Sequence, residues 1–112
     1  MLDNARATAN STITIEKNAE KCDAHQKAKV LLLGDKARCN ALPILDVNNE
    51  DVSCSHGAAM GKIDDTQLFY LMSRGLDEKA AKMKIISGFL APIFEKIPHQ
   101  QLREEIIQKV TL

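Results

Sequence analysis

Apolar residues in the first half of the chain come in short bursts: Ile13-Thr14-Ile15, Val30-Leu31-Leu32-Leu33 and Ile44-Leu45-Asp46-Val47. Turn-forming polar residues follow each one: Glu16-Lys17-Asn18, Gly34-Asp35-Lys36 and Asn48-Asn49-Glu50-Asp51. That pattern predicts short strands separated by turns. After each burst comes a small or branched apolar residue (Ala19, Ala37, Val52) and then a cysteine (Cys22, Cys39, Cys54). The unit recurs roughly every 16 residues, which predicts a parallel β-helix whose strand–turn units stack one on the next at ~4.8 Å. A small antiparallel meander is the other arrangement that the bursts allow.

From about residue 64 the spacing turns helical. Asp64 or Asp65 is placed to cap a helix through Gln67-Leu68-Phe69-Tyr70-Leu71-Met72, and Gly75 to stop it. Asp77 is placed to cap a second helix, whose apolar positions Met83, Ile86, Phe89, Leu90, Ile93 and Phe94 follow three- and four-residue steps. Pro92 is expected to kink or break it between Gly88 and Ala91. Pro98 suits a first helical position, and Leu102, Ile106 and Val110 recur at four-residue steps. The fold expected is α+β: strand–turn coils over residues 1–62, then three or four short helices over 63–112. Phe69, Tyr70 and Met72 are expected to be core residues.

Composition narrows the function classes. The chain has 112 residues, room for one modest domain. Aromatic residues are only 4% and Trp is absent, so any core is aliphatic. Lys+Arg and Asp+Glu are 15 each, without the basic excess that nucleic-acid binding needs. No apolar run approaches the roughly 18 residues of a membrane span, and the start, Met1-Leu2-Asp3-Asn4-Ala5-Arg6, lacks the pattern of an export signal. Three cysteines in no CxxC arrangement fit a reducing compartment better than a disulfide framework or a zinc ribbon. A Gly-rich phosphate loop, HExxH and GxSxG are all missing, so the chain reads as no enzyme by itself.

Residues 51–76 carry the most specific signal: Cys54-Ser55-His56-Gly57-Ala58, then Gly61, Ile63-Asp64, then Gln67-Leu68-Phe69-Tyr70-Leu71 and Ser73-Arg74-Gly75. With Gly88-Phe89 downstream, and with Asp3-Asn4-Ala5-Arg6-Ala7-Thr8 and His25-Gln26-Lys27 upstream, the chain resembles the SufB/SufD family of iron–sulfur cluster assembly proteins. The resemblance implies the last coils of a right-handed parallel β-helix followed by a small C-terminal helical domain. Family members are several times longer, so it also implies a truncated start at Met1. Gly57 stands where SufB-like chains carry the second residue of a His-Glu pair. Cys39 is two residues out of step with the cysteine of SufB-like chains. Both details tilt the likeness toward SufD.

The partners implied are a SufC-type ABC ATPase, docked on the helices of residues 63–112, and a SufB paralogue or a second copy of the chain. The cofactor implied is a transient iron–sulfur cluster, held at the junction with SufB and not bound tightly, in the cytoplasm or a plastid. His56 matches the family histidine that contributes to cluster formation. Chemically, a neutral imidazole ligates iron through one nitrogen while a hydrogen bond orients the other. Cys54 lies two residues before it, on the same face if the segment is extended; a free cysteine is equally a small buried hydrophobe. Cys22 and Cys39 would share a column with Cys54 if every unit stacked on the last. His25 and His99 are expected on solvated turns. The alternative function is a purely structural β-helix module for dimerisation and ATPase docking, without cluster binding. A metal-dependent hydrolase is a further, weaker reading.

Overall fold

A computed structural model describes residues 4–110, with side chains for residues 4–109. Met1, Leu2, Asp3, Thr111 and Leu112, together with the Val110 side chain, lie outside the described residues, so the readings placed on them above are left aside. The chain is α+β, with four strands followed by three helices, and it divides between Lys62 and Ile63 into two compact units.

The first unit holds β1 (Arg6–Ile15), β2 (Asp23–Leu32), β3 (Arg38–Val47) and β4 (Ser53–Lys62), each of ten residues. The apolar bursts are only the ends of the first three strands, and the polar stretches before them are extended as well. Along β2, Ala24, Gln26, Ala28 and Val30 are half-buried while Asp23, His25, Lys27 and Lys29 are exposed. On β3 the half-buried set is Cys39, Ala41, Pro43 and Leu45. A period of two with one covered face is what a pleated strand imposes.

The pairing corrects the expected one-strand repeat. Both ladders are parallel, which removes the antiparallel meander, yet no strand pairs with its successor: β1 pairs with β3, and β2 with β4. Arg6 lies opposite Arg38, and Asp23 opposite Ser53. Two strand–turn units therefore make one repeat. A parallel partner must start where its neighbour started, which takes a crossover of a dozen residues or more. The short segments 16–22 and 33–37 only send the chain back, so it comes into register after a second strand.

The turns stack as the strands do. Asn48 N–H donates to the Ile15 carbonyl at 2.9 Å, Lys21 N–H to the Asp51 carbonyl at 2.7 Å, and Asn49 Nδ2 to the Lys17 carbonyl at 2.8 Å. Lys21 takes the left-handed conformation, with φ of 56°, at the corner leading into β2. Among the described residues of this unit, the buried hydrophobic side chains are Ile15 and Ala37. Two-stranded sheets cover little surface, so Leu42, Ile44, Val47 and Met60 stay exposed.

The second unit holds α1 (Asp65–Ser73), α2 (Glu78–Phe94) and α3 (Gln100–Val110). Asp64 caps α1 by accepting from Gln67 N–H at 3.0 Å, and Asp77 caps α2 by accepting from Ala80 N–H at 2.7 Å. Gly75, with φ of 98°, ends α1: its N–H bonds the Met72 carbonyl while Leu76 N–H reaches back to Leu71, the Schellman pattern. The break expected at Pro92 does not occur, and α2 runs seventeen residues through it. Pro92 falls in the last turn, where its missing N–H costs one bond and little remains to be disrupted. Likewise α3 starts beyond Pro98, with His99 carbonyl accepting from Arg103 N–H at 3.0 Å.

Ala81 is the fully buried hydrophobic residue of α2. On α1 the half-buried positions are Leu68 and Leu71. Phe69, Tyr70 and Met72 are exposed, at 72%, 55% and 41%, which corrects their expected place in a core. They stand on the sides of α1 turned away from Leu68 and Leu71, and Arg74 stacks 5.4 Å above the Tyr70 ring. Among the described residues no helix is long and apolar enough to cross a membrane.

Candidate functional site

The segment Cys54-Ser55-His56-Gly57 lies on β4, whose many Gly and Ala residues have poor intrinsic strand preference. Pairing along all ten residues with β2 holds it extended. That register puts Cys54 opposite Ala24 and His56 opposite Gln26. Ala24 and Gln26 belong to the covered face of β2, so Cys54 and His56 share that face, their Cα atoms ~6.6 Å apart along the strand. Cys54 is half-buried and His56 is exposed. Exposure continues from Ser55 through Lys62, because among the described residues β4 has β2 on one edge and no strand on the other.

The opposite face of the same sheet carries a chain of polar contacts. His25 Nε2 lies 2.9 Å from Asp23 Oδ1, and His25 Nδ1 lies 2.6 Å from Ser55 Oγ. His25 is therefore a strand residue, not a turn residue as expected. Its imidazole and the Asp23 carboxylate are 60% and 70% exposed, so water screens the pair and it adds little to stability. Between the two sheets, Gln26 Nε2 donates to Ser11 Oγ of β1. Gln26 Oε1 is buried and has no hydrogen-bond partner.

The expected cysteine column does not form. Cys39 lies opposite Ala7 in one sheet and Cys54 opposite Ala24 in the other. The turn between β3 and β4 reverses the chain, so these two cysteines start strands at opposite ends of the unit, roughly 20 Å apart along the strand direction. Cys22 precedes β2, where its carbonyl accepts from Ser53 N–H at 2.8 Å, diagonal to Cys54. All three are free and half-buried. Among the described residues no group of three or more His, Cys, Asp or Glu side chains is arranged to hold a metal ion. Cys54 and His56 thus form a pair of candidate ligands, not a full set.

The family profile for the SUF system FeS cluster assembly SufBD core domain matches residues 1–89, a span that takes in all four strands, α1 and most of α2. The chain belongs to this SufBD family. SufD of Bacillus subtilis is 38% identical over 110 residues, 98% of this chain and 25% of its own length. SufD of Escherichia coli is 36% identical over 108 residues, 96% of this chain and 26% of its own. Protein ABCI7 of the Arabidopsis thaliana chloroplast is 34% identical over 100 residues, 89% of this chain and 21% of its own. The chain spans about a quarter of the length of the SufD relatives.

Within the SufBD framework, the structure brings Cys54 and His56 together and sets Cys39 apart. It also adds Asp23 and Gln26, which sequence reasoning missed as neighbours of the motif, and sets Ser55 of the motif against His25. A repeat of one strand, aligned on cysteine, puts Leu42-Pro43-Ile44 beside His25-Gln26-Lys27; only the two-strand repeat puts Ser55-His56-Gly57 there.

Proposed function

We propose that this SufBD-family chain supplies the terminal coils of a right-handed parallel β-helix, with a helical docking unit, to a SufD-like scaffold subunit of iron–sulfur cluster assembly. Strands that pair in parallel with the next but one, and turns that stack with them, support the β-helix, and the hand follows the general rule for parallel crossovers. The observation that carries the function is the Cys54–His56 pair on one face of an edge strand.

Among the described residues β3 and β4 each have a strand on one edge only, and a SufB-type partner or a second copy of the chain covers the other edge by adding its own strands. Its side chains then complete the ligand set that Cys54 and His56 begin. The cluster is cargo, built at that junction and passed on. His56 ligates iron through one ring nitrogen and Cys54 through its thiolate, while Cys39 and Cys22 stand outside the set. The chain is no enzyme in this reading; nucleotide hydrolysis belongs to a SufC-type ATPase docked on the helical unit. There a groove of about 220 Å³ between α2 and α3, lined by Leu90, Ala91, Phe94 and Ile107 with Arg103 at its rim, offers an apolar seat.

The test is anaerobic reconstitution of the complex with its SufB-type and SufC-type partners, read by visible absorption. His56→Ala should abolish most cluster formation while the complex still elutes intact. Wild-type yield from that variant would overturn the role of His56. A wild-type complex that assembles but never takes up a cluster would instead favour the structural-module reading.

A further inference from the structure

We propose that Gln26 is a positioning residue for His56: its side-chain oxygen accepts a hydrogen bond from one ring N–H and so selects the tautomer whose other nitrogen is bare. The inference rests on the reading of His56 as an iron ligand, and it concerns how that ligand is prepared.

Three observations meet at this point. Gln26 and His56 are register partners on the same face of the β2–β4 ladder, about one strand spacing apart, ~4.8 Å. The neighbouring pair one residue earlier, His25 and Ser55, points to the other face and makes a direct side-chain contact of 2.6 Å, so partners on these two strands do reach each other. Finally, the Gln26 amide is already anchored at one end. Its Nε2 donates to Ser11 Oγ on the facing sheet, which leaves Oε1 buried and unpartnered on its other side.

A buried carbonyl oxygen without a donor is costly, and native structures rarely leave one. The exposed ring of His56 is free to turn about its side-chain bonds, and it carries a donor in either tautomer. Turning one N–H to Gln26 Oε1 satisfies the orphan oxygen. The N–H so bound faces β2, and the second nitrogen, across the ring, faces the free edge of β4 with its lone pair exposed. That is the form in which an imidazole binds iron, and fixing it in advance is what a hydrogen-bonded neighbour does for a metal-ligating histidine. Ser11 serves as the anchor that keeps the amide from turning its nitrogen to the histidine.

The experiment is long-range proton–nitrogen correlation spectroscopy of protein labelled with ¹⁵N-histidine, at a pH where the rings are neutral. The chain has only three histidines, so His25→Gln and His99→Gln variants assign the His56 signals. A single tautomer is expected for His56 in the wild type, the mixture of free histidine in Gln26→Leu, and a single tautomer again in Gln26→Glu, which keeps an acceptor oxygen. The tautomer of His25 should not change among them. A free-histidine mixture at His56 in the wild type overturns the proposal without any variant, and so does a ratio unchanged in a folded Gln26→Leu. In the reconstituted complex, Gln26→Leu should lower cluster yield on the order of tenfold, with Gln26→Glu restoring part of it. The two ideas fail separately. A normal yield from His56→Ala sinks the ligand role and leaves the tautomer result standing, whereas an unselected tautomer sinks the positioning role and leaves the ligand role intact.

Discussion

The strand unit and the helical unit of this chain are held by contacts of opposite range. In the strand unit every ladder joins residues about 30 apart, as Arg6 with Arg38 and Asp23 with Ser53, and even the turns are tied to each other across that distance. In the helical unit the decisive bonds close within a few residues: Asp64 with Gln67, Asp77 with Ala80, and Leu76 with Leu71. The first unit is thus a two-strand repeat, and among the described residues its last strand, which carries Cys54 and His56, has a strand on one edge only. The second is a set of self-terminating helices. The function proposed above rests on that edge strand and on the pair of side chains it carries.

The comparison can be broken most forcefully at Ile15, 4% exposed at the end of β1 and opposite Val47. Ile15→Ala should cost about 2–4 kcal/mol of strand-unit stability, measured by urea unfolding with amide signals of β2 and β4 as the probe. A loss below about 1 kcal/mol would show that the coils are not held by this small core. Next comes Pro92, whose replacement removes a purely local defect. Pro92→Ala should stabilise the helical unit by about 1–1.5 kcal/mol, one restored backbone hydrogen bond, in thermal melting and leave the strand unit unchanged. Destabilisation there would mean that the proline ring packs in a way that outweighs its lost hydrogen bond.

Smaller effects should follow the caps. Asp77→Ala should destabilise the helical unit by about 1 kcal/mol, with protection of the Ala80 and Ala81 amides falling first in hydrogen exchange. The smallest effect belongs to the Glu78–Lys82 pair, 2.5 Å apart one turn along α2 and well exposed. Glu78→Gln should cost about 0.3–0.5 kcal/mol at low salt and nothing measurable at high salt. Salt-independent loss would point to helix capping rather than to the ion pair.

Much of the helical unit was legible because its signals are local. Asp64, Asp77 and Gly75 do what their residue types favour at helix ends, and the structure places them there. Pro92 misled because a proline rule applies to helix interiors, and the rule could not tell how close the helix end lay. The strand unit was legible only as strands and turns. Its bursts at Ile13–Ile15, Val30–Leu33 and Ile44–Val47 marked where strands finish, since the earlier stretches alternate Ala, Gln or Cys with polar and charged residues and carry a faint apolar signal.

Amino-acid sequence by itself determined the class α+β, the change of regime near residue 63, the helix caps and the SufBD family through the motif on β4 and α1. The family motif singled out His56, and strand geometry, in which residues two apart share a face, added Cys54 beside it. Tertiary structure alone decided which strands meet. A two-strand repeat and a one-strand repeat have the same local pattern, and they differ only in how far the chain travels before it returns to its starting level. That choice set Cys39 apart from Cys22 and Cys54, put Ser55 against His25, and placed Gln26 with its unpartnered oxygen opposite His56.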